Sequence, residues 1–324
     1  MDFTLTDEQQ LLRDTARALL ARECPPSRVR AHSEDRSALE PLWSSLADWT
    51  DLADGPLTDL CLFLEETGAV LAPGPFLATT ALYRPLGGSG VGTVALAGAD
   101  GVWMPNATML AKEAVRTWVL DADVVETVAV VLPGPALAFV DRTALTLEPA
   151  PLLDSTRRAF TLALPPGLDG SPLAGELLDR VLQRATVALA AELLGCARWM
   201  LATTLQYAKD RVQFDRPIGS FQAIKHKLAD MSLAWERAWA AVYAAAMAHD
   251  AGDPDRVAAT HAAKAAAGEA ATMLAKEAVQ IHGGIGFTWE HDLHLYLRRA
   301  YTAEALLGGT AWHHDRLADI LLGV

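Results

Sequence analysis

The stretch Tyr207-Ala208-Lys209-Asp210-Arg211-Val212-Gln213-Phe214-Asp215-Arg216-Pro217-Ile218-Gly219-Ser220-Phe221-Gln222 separates two long Ala-rich segments, and its reading decides the architecture. Before it, from Ser171 to about Arg211, and after it, from Phe221 to Ala251, apolar residues recur at helical spacing with almost no breakers. Ser171 reads as the cap of the first segment and Pro172 as its first turn. A third segment runs from Pro254 to Ile281, ending in Gln280-Ile281-His282-Gly283-Gly284-Ile285-Gly286-Phe287-Thr288. At about 1.5 Å per residue the three would reach roughly 40–60 Å, too long for one small core to wrap, which predicts an antiparallel bundle. Two shorter helices, around His291 to Ala305 and Thr310 to Leu322, complete it.

Upstream the period changes. Thr93–Leu96, Thr127–Val131, Ala136–Val140 and Phe160–Leu164 are short apolar runs bounded by Gly, Pro and Asp, with Leu132-Pro133-Gly134-Pro135 as a turn. They predict a small sheet of about five to seven strands. Further upstream, Thr6 and Gln9 form a capping-box pattern ahead of Leu12, Ala16, Leu19 and Leu20 on one helix face. Leu39, Leu42, Trp43 and Leu46 repeat the pattern, as do Leu60, Phe63 and Leu64 before Pro73-Gly74-Pro75. The chain is thus expected to be mainly α with a small β domain. The divisions are an N-terminal helical domain over 1–86, a small β domain over 87–166 and a C-terminal helical bundle over 167–324. Gly87-Gly88-Ser89-Gly90-Val91-Gly92 lacks a Lys-Ser/Thr ending and precedes a strand, so it reads as a flexible linker rather than a phosphate loop.

Composition bounds the function. With 324 residues, 51% of them apolar and 21% charged, the chain has the make-up of a folded protein of two or three domains. Its formal charge of −13 is the wrong sign for clamping a nucleic-acid backbone. Cys24, Cys61 and Cys196 form no CxxC pair, which suits a reducing cytoplasm better than a disulfide scaffold. The acidic opening and the lack of an uncharged run near the roughly 18 residues of a membrane span predict a soluble, untargeted protein.

The two loops carry the chemical signal. Arg211 offers a planar fork for a phosphate, Phe214 an apolar face for a ring, and paired glycines let backbone amides approach a pyrophosphate. They suggest a dinucleotide clamp; an exposed arginine and a helix-capping glycine pair is the alternative that residue chemistry leaves open.

Both loops, in this order on a helical bundle, resemble those of the acyl-CoA dehydrogenase family. The likeness extends to Phe3-Thr4-Leu5-Thr6-Asp7-Glu8-Gln9-Gln10 and to the helix, sheet, four-helix-bundle order. The resemblance implies FAD, an acyl-CoA substrate, and a Glu that removes the α-proton while a hydride leaves for the flavin. It implies that Arg211, Phe214, Gln280, Gly283, Gly284 and Thr310 bind FAD, most of them serving the flavin of a neighbouring subunit. The positions where the family keeps its base are Gly308, within Leu306-Leu307-Gly308-Gly309-Thr310, and Ala185, followed by Thr186. Neither carries a carboxylate. The family's Thr-Glu-x-x-x-Gly-Ser-Asp and Lys-x-x-Ile-Thr-Asn motifs are missing between Gly87 and Pro166.

This asymmetry resembles the short subunit of bacterial heterotetrameric (α2β2) steroid side-chain acyl-CoA dehydrogenases. It implies a second, catalytic subunit that supplies the Glu and shares the FAD, with no nucleic-acid or membrane partner. The rivals are a self-sufficient homomeric enzyme with a displaced base, for which Glu304 is the candidate, and a flavin-free helical scaffold. Glu304, one turn before Gly308, reads first as a solvated helix charge, because a base moved by about 5 Å misses its proton. His291, His294, His313 and His314 read as surface or capping groups rather than metal ligands. Trp199, Trp235 and Trp239 read as core.

Overall fold

A computed structural model describes residues 4–34, 40–98, 115–132, 134 and 136–323. The capping box is formed: Thr6 Oγ1 accepts the Gln9 N–H at 3.2 Å and Gln9 Oε1 accepts the Thr6 N–H at 3.3 Å, opening α1 (Asp7–Glu23). Ala16 and Leu20 are buried, and Leu12 and Leu19 pack against the same core. Pro26 begins α2 (Pro26–Glu34), followed by α3 (Glu40–Leu46), α4 (Leu57–Ala69) and helical turns at Phe76–Ala78, Thr79–Tyr83 and Arg84–Leu86. Phe3 and Leu39 lie outside the described residues, as do Pro133 and Pro135 of the expected turn.

The glycine run is not a loose linker. A Cβ on Gly88 or Gly92 would stand 2.5 or 2.3 Å from atoms of the Tyr83 ring, and Tyr83 Oη donates to the Ser89 carbonyl at 3.3 Å. Glycines stand there because the chain wraps closely round that ring.

Two sheets follow. One has the order β1 (Gly92–Ala95), β3 (Thr127–Leu132), β4 (Ala136–Asp141), β7 (Ser171–Pro172); the other has β2 (Val115–Leu120), β6 (Ala159–Ala163), β5 (Thr146–Ala150). Among the described residues only β1 and β3 pair in parallel. The buried Arg116 of β2 donates from Nη2 to the Val131 carbonyl of β3 at 3.0 Å and so bolts one sheet to the other. Ser171 and Pro172 do not cap a helix. They form β7 against Leu137 and Ala136, beyond Pro166, on an edge where the missing proline N–H is not needed.

The bundle comprises α5 (Gly175–Asp210), α6 (Gln222–Asp250), α7 (Arg256–His282), α8 (Leu293–Ala305) and α9 (Thr310–Leu322). Helix α5 is long and apolar enough to cross a membrane, yet its most apolar window is 78% buried within the protein; it is the core helix. Small residues let helices meet backbone to backbone. A Cβ on Gly195 of α5 would stand 1.9 Å from the Glu65 carbonyl oxygen, and one on Gly68 of α4 2.0 Å from that of Glu192. Buried charges tie the sheets to the bundle: Arg299 of α8 reaches Asp154 at 2.5 Å and Glu192 of α5 at 2.8 Å, and Glu192 also holds Arg157. Trp199, Trp235 and Trp239 pack on the core from its rim rather than inside it. Trp199 stacks on Tyr296 at 3.6 Å, and Trp235 Nε1 donates to the Leu194 carbonyl at 3.1 Å.

Candidate functional site

Helix α5 ends on Arg211, whose N–H still bonds the Tyr207 carbonyl. The chain then turns through a short hairpin, β8 (Val212–Gln213) and β9 (Arg216–Pro217). Its two turn residues, Phe214 at φ 52° and Asp215 at φ 60°, both take the left-handed conformation that a tight two-residue hairpin demands. For a bulky aromatic this is strained backbone, and it projects the ring into solvent. Phe214 is 87% exposed, its ring edge-on to Phe221 with centroids 6.1 Å apart, while the Arg216 guanidinium covers Phe221 at 4.1 Å. Arg211 is exposed and its side chain makes no hydrogen bond or ion pair among the described residues.

The second loop is brought to the same end of the bundle by a contact that sequence did not reveal. The buried His282 ring, at the end of α7, stacks on Tyr207 at 4.3 Å, and Tyr207 Oη donates to the His282 carbonyl at 3.3 Å. The His282 Nδ1–H donates to the Ala278 carbonyl at 2.8 Å, and burial holds the imidazole below its ordinary pKa, so it is neutral near pH 7. Gly283 then takes φ 65° as the helix terminates. Among the described residues, chain neighbours aside, no atom lies within 4 Å of a Cβ built on Gly283 or Gly284, whereas one on Gly286 would touch His282 and Leu293 at 3.2 and 3.4 Å. Gln280, Gly283 and Gly284 are all exposed. An unengaged cation, a bare ring, an amide and two glycines with open faces thus share one end of the bundle, a set that fits a dinucleotide's phosphates and ring.

The candidate base positions lie elsewhere. Ala185, 1% exposed, is core on α5, about 39 Å along the helix from Arg211. Gly308 sits in the α8–α9 turn at φ 96°, where a Cβ would stand 2.7 Å from Trp312 Cε3 and 3.0 Å from His313 Nε2. The turn is pinned from below by Lys264, fully buried on α7, which donates to the carbonyls of Glu304 at 2.6 Å and Gly308 at 2.9 Å. Burial brings the Lys264 pKa down to about 8, against the pull of the Glu304 carboxylate. Glu304 is not the solvated charge expected. It is half-buried, and its Oε1 accepts the Thr310 N–H at 2.5 Å, capping α9. Thr310 packs here, its Oγ1 2.4 Å from a Cβ built on Gly268, about 22 Å along α7 from Gly283. The structure therefore does not bring Thr310 together with Gln280, Gly283 and Gly284.

The histidines are less superficial than expected. His313 is buried, its Nε2–H donating to the Leu307 carbonyl at 3.0 Å and its Nδ1 facing His261 Nδ1 at 2.8 Å; burial drives its pKa down to about 3. That arrangement requires His261 to donate. His294 is buried against the His291 carbonyl at 2.7 Å, His291 Nδ1 accepts the Leu293 N–H at 3.1 Å, and only His314 is exposed, paired with Glu269. These imidazoles satisfy local backbone, which outweighs the polar preference for the surface. Among the described residues no three His, Cys, Asp or Glu side chains are placed to hold a metal ion. Lys264 escaped notice although a lone lysine inside Ala262-Ala263-Lys264-Ala265-Ala266-Ala267 is itself a signal of a buried ammonium with work to do. An apolar cavity of about 240 Å³ between α1, α2 and the bundle is lined by Val29, Leu71, Trp199 and Tyr296 and by none of the loop residues.

Residues 176–322 match the acyl-CoA dehydrogenase C-terminal domain. The chain is 35% identical to the acyl-CoA dehydrogenase IpdE2 of Mycobacterium tuberculosis, over 94% of each protein. It is also 35% identical to the acyl-CoA dehydrogenase FadE34 of the same organism, over 96% of this chain and 47% of that one. Among solved structures, a variant of the Tcur3481-Tcur3483 steroid ACAD superposes with a TM-score of 0.87 at 26% identity, covering 99% of both chains. The ChsE4-ChsE5 complex from Mycobacterium tuberculosis shares the fold, with a TM-score of 0.86 at 24% identity and full coverage of both. With the bundle, the sheets and both loops in place, the chain belongs to the acyl-CoA dehydrogenase family.

Proposed function

We propose that this chain is one subunit of an α2β2 flavin-dependent acyl-CoA dehydrogenase that desaturates a bulky acyl-CoA thioester, a steroid side-chain ester, and that its partner subunit supplies the catalytic Glu. One observation carries this reading: the groups suited to a dinucleotide are open to an outside body, while the turn where a base would stand is filled by the chain's own Trp312 and His313. Bound FAD supplies the hydride acceptor. Arg211 holds a phosphate by charge-assisted hydrogen bonds, Phe214 offers its face to a ring, and the Gly283–Gly284 backbone approaches without Cβ interference. Gln280, beside them, offers both a donor and an acceptor. Gly308 has no proton acceptor to offer, so abstraction of the α-proton falls to the partner.

The relationship to a steroid ACAD supports the substrate class, and the ChsE4-ChsE5 complex supports pairing of unlike chains. FadE34, which matches 96% of this chain with 47% of its own length, fits a fold that works beside a second unit. The buried, unpaired Cys24, Cys61 and Cys196 suit a reducing cytoplasm. Mass and flavin absorbance, measured on this chain alone and with its partner, test the reading. Two FAD per tetramer, with little on the isolated chain, are expected; four per tetramer would exclude a shared half-site.

A further inference from the structure

Between the sheets and the bundle lies a cavity of about 10 Å³, lined by the segment from Thr67 to Ala78, by Leu120 and Asp121 at the end of β2, by Glu192 of α5 and by Arg157. Its walls are mostly apolar (Ala72, Phe76, Leu77, Ala78, Leu120), but two residues that line it, Asp121 and Arg157, each carry a buried polar atom without a partner among the described residues. Asp121 is 2% exposed and its Oδ1 accepts no hydrogen bond; Arg157 is 6% exposed, and while one of its terminal nitrogens holds Glu192, Nη1 donates to nothing. No ion pair joins Asp121 to Arg157. Asp121 and Arg157 flank the paired ends of β2 and β6, where the Asp121 N–H donates to the Arg158 carbonyl at 3.0 Å, and a buried acceptor and a buried donor left unmade there are each destabilising. The space between holds about one water and no larger group.

We infer that this cavity is a site for a single ordered water that donates to Asp121 Oδ1 and accepts from Arg157 Nη1, at the end of the β2–β6 pair where Arg157 meets Glu192 of α5. The bridge completes the charge network running through Glu192 to Arg299 and Asp154. The burial of Asp121 also makes the junction sensitive to pH. Burial raises the Asp121 pKa from 3.8 to about 7, with Asp123 pushing the same way and Arg157, Arg299 and Arg158 opposing. A carboxyl whose folded pKa lies above its unfolded one stabilises the fold most below about pH 4, and that contribution is lost as pH rises to about 7.

The test is a high-resolution crystal structure of the full chain with its thermal unfolding at pH 5 and pH 8. One solvent peak within hydrogen-bond reach of both Asp121 Oδ1 and Arg157 Nη1 is expected, and it should vanish in Asp121→Leu. A dry cavity, or a direct Asp121–Arg157 pair, would overturn the inference. Asp121→Asn keeps an acceptor and cannot ionise, so it should keep the water, and its midpoint relative to the native chain should rise between pH 5 and pH 8 by roughly 2 °C or more. A difference that does not move with pH would refute the titrating bridge even if Asp121→Leu fails to fold.

Discussion

At the loop end of the bundle no atom of the described residues, chain neighbours aside, comes within 4 Å of a Cβ built on Gly283 or Gly284, whereas in the α8–α9 turn a Cβ on Gly308 would stand 2.7 Å from the Trp312 ring. Both regions use glycine with positive φ, at Gly283 and Gly308, but around the first the neighbours stay back and around the second they close in. Sequence alone gives the two the same appearance, a glycine pair next to a helix end. The surroundings separate them: Gly283 and Gly284 leave room for a group from outside, and Gly308 leaves room for Trp312 and His313 of its own chain. The α8–α9 turn is therefore filled by its own chain, with Lys264 holding its backbone through the Glu304 and Gly308 carbonyls.

The strongest way to break this contrast is to place an acid at Gly308. Gly308→Glu forces a side chain onto left-handed backbone and into Trp312, so we expect a loss of about 2–5 kcal/mol in urea unfolding and no gain of turnover. Gly284→Ala, facing open space, should stay within about 0.5 kcal/mol of the native chain. Equal stabilities for the two variants would mean that the turn is not filled.

Arg211→Ala sharpens the open side. Removing a charge-assisted contact worth roughly 1.5–3 kcal/mol should weaken FAD binding in the assembled complex about ten- to a hundredfold, with unfolding unchanged. Unaltered flavin occupancy would remove Arg211 from the site, and a collapsed bundle would make it structural.

Much of this architecture was legible in the sequence because it rests on periodicity and breakers. The helix ends at Asp210, Gln222 and His282, the capping box at Thr6 and the strands from Thr127 and Ala136 follow from local patterns that packing did not override. What escaped depends on partners far along the chain. Strand β5 is largely exposed and carries no apolar run, and β2 hides a bulge at Trp118, at φ 54°, that breaks its alternation. Ser171 and Pro172 look like a helix start, and only their pairing with β4 makes them a strand. At the site, Arg211, Phe214 and the glycine pair were readable as residue types. Tyr207 stacking on His282 and Lys264 reaching Gly308 were not, since each joins residues more than 40 positions apart.

Lys264 gives a smaller, pH-dependent effect. Its folded pKa near 8 lies below the ordinary lysine value of 10.5, so the fold prefers the neutral amine and burying the ammonium costs stability below pH 8. That cost is relieved as pH rises from 8 toward 10.5. The native chain should therefore gain on Lys264→Met by about 1–2 kcal/mol between pH 8 and pH 9.5, read from paired urea curves. A difference flat across that range would show that the lysine is not desolvated in the turn.

The smallest effect is expected at Glu304, a carboxylate one turn before Gly308. Its Oε1 accepts the Thr310 N–H at the start of α9, a structural bond that a glutamine amide oxygen also makes, with loss only of the charge facing the helix N-terminus. Glu304→Gln should cost about 0.3–1 kcal/mol in stability. Assayed in the assembled complex with an artificial electron acceptor, it should keep its rate within about tenfold, whereas removal of a general base costs about 10²- to 10⁴-fold. A loss of that larger size, with flavin bound and the tetramer intact, would mean that the α8–α9 turn opens during turnover to free this carboxylate from Thr310. The filled site would then be a resting state of a chain that carries its own base.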